Sequence, residues 1–268
     1  MTKNYSSRFQ KISQSLALKV KTIRNVLRRI FIYRRYDSDE YWRKRAYSDS
    51  LFWYNHHYNG CFREKEFKII KQLVEKYQIP RTDRVLDVGC GWGEVSKFLA
   101  ELGFNQIDAI DFPEMIKVAE KMNPHPNIRY IPSAAQYYLV NKKYGLIISS
   151  VVFSMIRNVL KMFRAVNNCV NMLQKGGYIL MIDAFHVSNL LARVKIATDD
   201  VIRYMERKGL VLVERSGMLF YPVRLLISND RSLTKYQTQI LFNMGESMLN
   251  KLGRNLWSDY KILLFKKE

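Results

Sequence analysis

Gly89, Gly91 and Gly93 recur at every second position of "VLDVGCGWGEV", Val85 to Val95, directly after a short apolar run. Glycine tolerates left-handed backbone and puts no Cβ between main chain and ligand, so such a loop brings backbone close to a bound group. Two carboxylates accompany it. Asp87 lies inside the apolar run, and Asp111 ends the next one, "QIDAID", 18 residues beyond Gly93. A carboxylate there can accept hydrogen bonds from ribose hydroxyls. A Walker-type phosphate loop needs G-K-[ST], which is absent, and the dinucleotide fingerprint is G-x-G-x-x-G, whereas the spacing here is G-x-G-x-G with no cation in the loop. His186, shortly after a later apolar run, could take a proton near neutral pH.

These residues need elements to hold them. From Arg84 the pattern is strand, loop, helix, repeated. Strands are expected at "RVLDV", "QIDAID", "NIRYI", "YGLIISSVV", "YILMID", "LVLVER" and "DYKILLFKK". Helices are expected over Glu94 to Leu102, Pro113 to Met122, Asn158 to Leu173 (stopped by Gly176-Gly177) and "TDDVIRYMERKG". Alternation of this kind builds an α/β fold: a seven-stranded, mainly parallel, doubly wound sheet with helices on both faces. About 40 residues, Ser216 to Ser258, separate the last two strands, where a hairpin needs only a few. This insertion, "GMLFYPVRLL" and then a helix, is expected to be a cap over residues 217–257.

The preceding chain is of another character. Apolar residues at Phe9, Ile12, Leu16, Val20, Ile23, Leu27 and Ile30 step by three and four, the spacing of one helix face. Residues 1–36 also hold ten Lys or Arg and no acid, half of the net charge of +20. The expected division is a basic amphipathic helix at 1–36, an aromatic lid or linker at 37–61 and the α/β domain at 62–268. A helix from Phe62 to Gln78, closed by Pro80, opens that domain. The longest apolar run, Gly145 to Ile156, is too short to span a bilayer, and a cleaved secretory signal is not expected. Cys61, Cys90 and Cys169 lack C-x-x-C spacing, which points to neither a disulfide framework nor a zinc site.

The stretches "VLDVGCGWGEVSKFLAE", "QIDAIDFPEMIKVAEKM", "YGLIISSVVFSMIRN" and "NMLQKGGYILMID" together resemble the motifs of class I S-adenosylmethionine-dependent methyltransferases. The core motifs and the large segment before the last strand are similar to those of the ubiquinone-biosynthesis O-methyltransferases. The resemblance implies S-adenosyl-L-methionine as cofactor. Asp87, Gly89, Cys90, Gly91 and Gly93 would face its methionine part, Asp111 its ribose and Phe112 its adenine. Ser133 and Ala134 would lie beside the adenine, though many members carry Asp where Ala134 stands; Ser133, Ala135 or Gln136 is left to make that contact. Ser149 closes the set at the fourth strand. Tyr58 and Arg63, with Tyr54, His56 and His57 of "FWYNHHYNG", could form a lid, Arg63 reaching the methionine carboxylate. A packed aromatic cluster is the alternative.

Methyl transfer from a sulfonium is an in-line displacement in which the protein supplies alignment and, where needed, a base. The acceptor is therefore poorly legible, but some classes are disfavoured. Enzymes acting on exocyclic base amines carry [DNS]-P-P-[YFW] where this chain reads "SSVVF". Carbon-5 cytosine enzymes need a nucleophilic Cys near the fourth or fifth strand, whereas Cys169 lies in the helix between them. Metal-dependent catechol-type enzymes place carboxylates where Ser149 and Ser150 stand, so no metal is expected. His186 is left as the candidate general base, with a loop histidine capping backbone as the alternative.

The basic segment has four readings: peripheral contact of residues 9–35 with anionic membrane, nucleic-acid binding, a mitochondrial transit peptide, or docking on its own domain. A continuous apolar stripe is wasted on phosphates, and membrane contact is favoured because "GMLFYPVRLL" of the insertion is also apolar with an Arg. The expected function is methyl transfer to a small or lipid-linked acceptor at oxygen, on the cytosolic side of a membrane. The alternatives are an RNA methyltransferase that uses its basic tail and a non-catalytic scaffold with this fold.

Overall fold

Four short apolar runs make the centre of the molecule because they are buried on both faces, as parallel strands covered by helices must be. They are β1 (Val85–Val88), β2 (Ile107–Asp111), β4 (Tyr144–Ser150) and β5 (Leu173–Asp183). With β3 (Ile128–Pro132), β6 (Leu210–Phe220) and β7 (Ser258–Lys267) they form one seven-stranded sheet of order β3-β2-β1-β4-β5-β7-β6. All pairs from β3 through β5 are parallel; β7 runs antiparallel to both β5 and β6. This computed structural model describes residues 38–49, 51, 53–186 and 196–268. The expected basic helix at 1–36 lies outside the described residues. Those from Ser38 to Glu268 form one compact unit.

The helices are α1 (Ser38–Arg45), α2 (His56–Lys76), α3 (Glu94–Glu101), α4 (Pro113–Met122), α5 (Val159–Met172), α6 (Thr198–Arg207), α7 (Tyr221–Ile227), α8 (Lys235–Leu252) and α9 (Arg254–Trp257). On one face of the sheet Phe62, Ile70, Leu99 and Phe104 pack with Leu146, Ile148 and Leu264. On the other, Met162, Val166 and Met205 pack with Ile147, Ile179 and Phe265. Each such side chain contributes roughly 1.5–3 kcal/mol when fully buried, which commits the strands to this register.

Three expectations need correction. The stretch 37–61 holds a helix, α1, and the next helix begins at His56 rather than Phe62, because the Asn55 side chain caps it by accepting from Tyr58 N. Gly176 and Gly177 do not follow a helix stop; they lie inside β5, with Gly176 at φ +75° and a register shift opposite Tyr144/Leu146. Finally, "GMLF" of the insertion completes β6, pairing Gly217 with Lys261 and Phe220 with Ser258. The insertion proper is α7 to α9.

Candidate active site

The strand order turns back between β1 and β4, and ligands of open α/β sheets bind beyond the carboxyl ends of the strands at that switch. A concave cleft lies there, lined by the loop after β1, the ends of β2 and β4 and residues of α1 and α2. Its floor is the loop from β1 to α3. Gly89 and Gly91 take φ of +68° and +56°, and a Cβ on Gly89 would stand 2.4 Å from Val152 Cγ2 across the cleft. Only glycine lets the two walls approach so closely. Gly89 N and Cys90 N both donate to Ile110 O, at 2.8 and 3.0 Å, which ties the loop to β2.

Asp111 ends β2 with both oxygens engaged by backbone: Gly91 N donates to Oδ2 at 2.8 Å and Phe112 N to Oδ1 at 2.7 Å. Burial pushes its pKa up to about 6 in spite of these bonds, which favour the charged form. Each oxygen keeps a lone pair for a further donor. Asp87 is pushed up to about 7, chiefly by burial, against the bond from Ser96 Oγ to Oδ2 at 2.5 Å. A buried acid near neutrality is set to gain from a cationic ligand.

The far wall follows β4. Val151, a β-branched residue, stands at φ +60°, where such residues are genuine outliers. What holds it is Asp183 at the end of β5, which accepts from Phe153 N and Ser154 N, each at 3.1 Å, and from Ser154 Oγ at 2.5 Å. Strain concentrated at a ligand-lining loop and locked by a buried carboxylate is a mark of a functional site. Arg63 closes another side, donating to Glu94 at 2.8 Å and to the fully buried Glu66, which also accepts from Ser150 Oγ. From above, α1 contributes Asp39 and Trp42, and Leu51 follows. Gln136 lines the cleft 3% exposed, and its Nε2 has no hydrogen-bond partner. An orphaned buried amide is costly unless a ligand completes it.

The cleft thus offers a glycine cradle, a paired ribose-type carboxylate and an unpaired amide, with no phosphate-binding cation cluster among the described residues. The sequence matches a family model described as a methyltransferase domain over residues 54–214. The chain belongs to this methyltransferase family.

Similar proteins agree in kind. A malonyl-[acyl-carrier protein] O-methyltransferase 1 of Ilyobacter polytropus is 27% identical over 184 residues, 65% of this chain and 68% of the relative. A ubiquinone biosynthesis O-methyltransferase of Xanthomonas axonopodis pv. citri is 27% identical over 168 residues, 54% of this chain and 70% of the relative. The fold is also that of the N-methyltransferase NodS from Bradyrhizobium japonicum, solved with S-adenosyl-L-homocysteine. That likeness has TM-score 0.59 at 16% identity and covers 87% of this chain and 99% of that one.

The protein is an S-adenosylmethionine-dependent methyltransferase, and its cleft fits the donor: Gly89 and Gly91 would lie under the methionine part, Asp87 near its cationic groups, Asp111 at the ribose, and Phe112 and Gln136 beside the adenine. Bound, the cofactor supplies an electrophilic methyl on a sulfonium; the residues align and screen it from water.

Of the residues singled out in the sequence, Asp87, Gly89, Cys90, Gly91, Asp111, Phe112, Ser133, Ala134 and Arg63 line the cleft of this methyltransferase. Gly93 does not; it begins α3 at φ +84°, where a Cβ would meet Tyr130 Oη at 2.3 Å. Ser149 is fully buried behind the wall, donating to Asp183 at 3.3 Å. Tyr58 is packed edge-on against Trp53 and Phe242 in the core, the aromatic-cluster alternative. His56 and His57 are exposed on the first turn of α2. Cys90 and Cys169 are buried, which raises both thiols, Cys169 to about 12, and makes them poor nucleophiles. Among the described residues no three His, Cys, Asp or Glu side chains gather as a metal site needs.

His186 lies apart from this lining, just beyond the carboxyl end of β5. Its Nε2 is 3.0 Å from Asp259 Oδ1, at the start of β7. Arg224 of α7 holds the same carboxylate, Nη2 at 3.0 Å and Nε at 2.7 Å. Burial alone would raise Asp259, but the Arg224 charge and the His186 bond outweigh it and hold the carboxyl well below its usual range. Sequence reasoning missed Asp259, Arg224, Glu66 and the α1 wall. Glu66 and Asp259 lie in segments whose local pattern reads as plain helix or strand, Arg224 in the insertion and the α1 residues in the expected lid or linker, and no spacing signal marks any of them.

Proposed function

We propose that this methyltransferase transfers the methyl group to an oxygen of a small or lipid-linked acceptor, at the cytosolic face of a membrane, with His186 as the base. The observation that carries this reading is the His186–Asp259 pair. An ionised, buried carboxylate orients the imidazole and stabilises the imidazolium formed when a hydroxyl proton is taken. The pair stands under the insertion at the carboxyl edge of the sheet, the edge beyond which ligands of such sheets bind. Two O-methyltransferases among the similar proteins support oxygen as the acceptor atom.

The test is transfer of labelled methyl from S-adenosylmethionine to phenolic, carboxylic and lipid-extract acceptors, with total RNA in parallel. Labelling of an oxygen acceptor is expected, and His186→Asn should lower kcat by about 10²–10⁴ with cofactor affinity unchanged. Labelling of RNA alone would overturn the acceptor class. Full turnover by His186→Asn would overturn the base.

A further inference from the structure

We infer that the outward face of α8 is a docking surface for an anionic lipid bilayer. Helix α8 carries two apolar faces. Thr238, Phe242, Gly245 and Leu249 turn inward, and Gly245 comes so close to Phe220 and Val223 that a Cβ would stand 3.3 Å from each. The second face is left exposed among the described residues. Tyr236, Ile240, Met244, Met248 and Leu252 step by four and are 75, 40, 55, 41 and 49% exposed. At 1.5 Å per residue this stripe runs about 24 Å. Beyond it Leu256 and Trp257 are exposed as well. A contiguous apolar surface of this kind marks an interaction site.

Charge identifies the occupant. From residue 231 to 257 the bases are Arg231, Lys235, Lys251 and Arg254, against one acid, Glu246. Glu246 is buried and held by Lys65 and Arg254, which leaves Arg231, Lys235 and Lys251 as exposed bases that it does not offset. A second copy of this chain, or its own residues 1–36 with their ten bases and no acid, would bring positive charge against positive charge. An anionic bilayer is complementary to both features: the apolar stripe enters the headgroup boundary and the bases meet lipid charge. Trp and Tyr at the two ends of the stripe suit that boundary. No helix among the described residues is long and apolar enough to cross a membrane. The surface lies on the same insertion as Arg224, which holds Asp259, the partner of His186. That placement deepens the lipid-linked reading of the acceptor and rests on it, whereas binding itself does not.

Flotation of the full chain with phosphatidylcholine vesicles, with and without phosphatidylglycerol, tests the inference. The parent should float with the anionic vesicles and be released by salt. Met244→Glu combined with Met248→Glu should lower partition by about tenfold or more, because binding scales with the apolar area inserted. Lys235→Gln with Lys251→Gln should reduce the salt-sensitive part. Cofactor binding by calorimetry must stay at the parental value, which verifies folding, since none of these side chains reaches the cleft. Equal flotation of the methionine variant and the parent would overturn the proposal, as would a parent that ignores anionic vesicles. So would a parental dimer, seen by sedimentation equilibrium, that the methionine variant dissociates. Flotation uses no acceptor, so its failure and failure of the oxygen-transfer reading are separable.

Discussion

Lowering the pH from 8 to 6 should weaken cofactor binding by about an order of magnitude, through Asp87. Burial raises this carboxyl to about 7, with the nearby charge of Glu66 adding to it and the Ser96 bond and Arg63 opposing. The ligand is cationic at its sulfonium and amine, so it binds the ionised form. With a pKa near 7, about nine-tenths of the protein is competent at pH 8 and about one-tenth at pH 6, which multiplies the apparent Kd by roughly ten. Asp111, at about 6, adds a factor of about two at the lower pH. Calorimetry in buffers of different ionisation enthalpy reads the same event directly: binding should release close to one proton from Asp87 near pH 6 and little at pH 8. The stability sign is opposite. A raised folded pKa gives a contribution that is fully present below the unfolded value, 3.8, and is lost as pH rises through about 7. Asp87→Asn, a mimic of the protonated form, should therefore stabilise the cofactor-free protein at pH 8, by up to about 4 kcal/mol, and hardly at all at pH 4. It should also abolish the pH dependence of whatever cofactor binding remains. A Kd that is flat from pH 6 to 8, without proton release, would refute the reasoning.

Gly89→Ala forces a Cβ to within 2.4 Å of Val152 at a positive φ; a loss of about 1–3 kcal/mol in thermal unfolding and a much weaker cofactor Kd are expected. Ser154→Ala removes the 2.5 Å bond to the buried Asp183 and should cost about 1–3 kcal/mol in denaturant unfolding, together with cofactor affinity, because the Val151 wall loosens. Asp259→Asn leaves Arg224 as an uncompensated buried charge, and chemical denaturation should show a loss of about 3–5 kcal/mol. Gln136→Leu should weaken cofactor binding by roughly 1–3 kcal/mol without lowering the melting temperature of the free protein, since its Nε2 has no partner there.

What was legible in the chain follows from what is local. The strands β1, β2 and β4 declare themselves because burial on both faces demands unbroken apolar runs, and the cradle because left-handed turns demand glycine at Gly89 and Gly91. Asp111 is found by its fixed distance from them. What pairs across the fold leaves no such trace. Glu66 is one charged position among many on α2 until Ser150, 84 residues away, donates to it. Asp259 joins His186 and Arg224 only because β7 runs antiparallel between β5 and β6, bringing its first residues to the carboxyl edge of the sheet. Asn55 shows the same in miniature: its cap lengthens α2 and buries Tyr58, so a residue expected over the cofactor belongs to the core. By itself the sequence determines the donor, since cradle and ribose carboxylate lie within one βαβ unit. The surroundings of His186 are decided by tertiary structure alone, because its partner Asp259 comes from β7 and that carboxylate's second partner, Arg224, from α7, and only sheet topology brings them within hydrogen-bond distance.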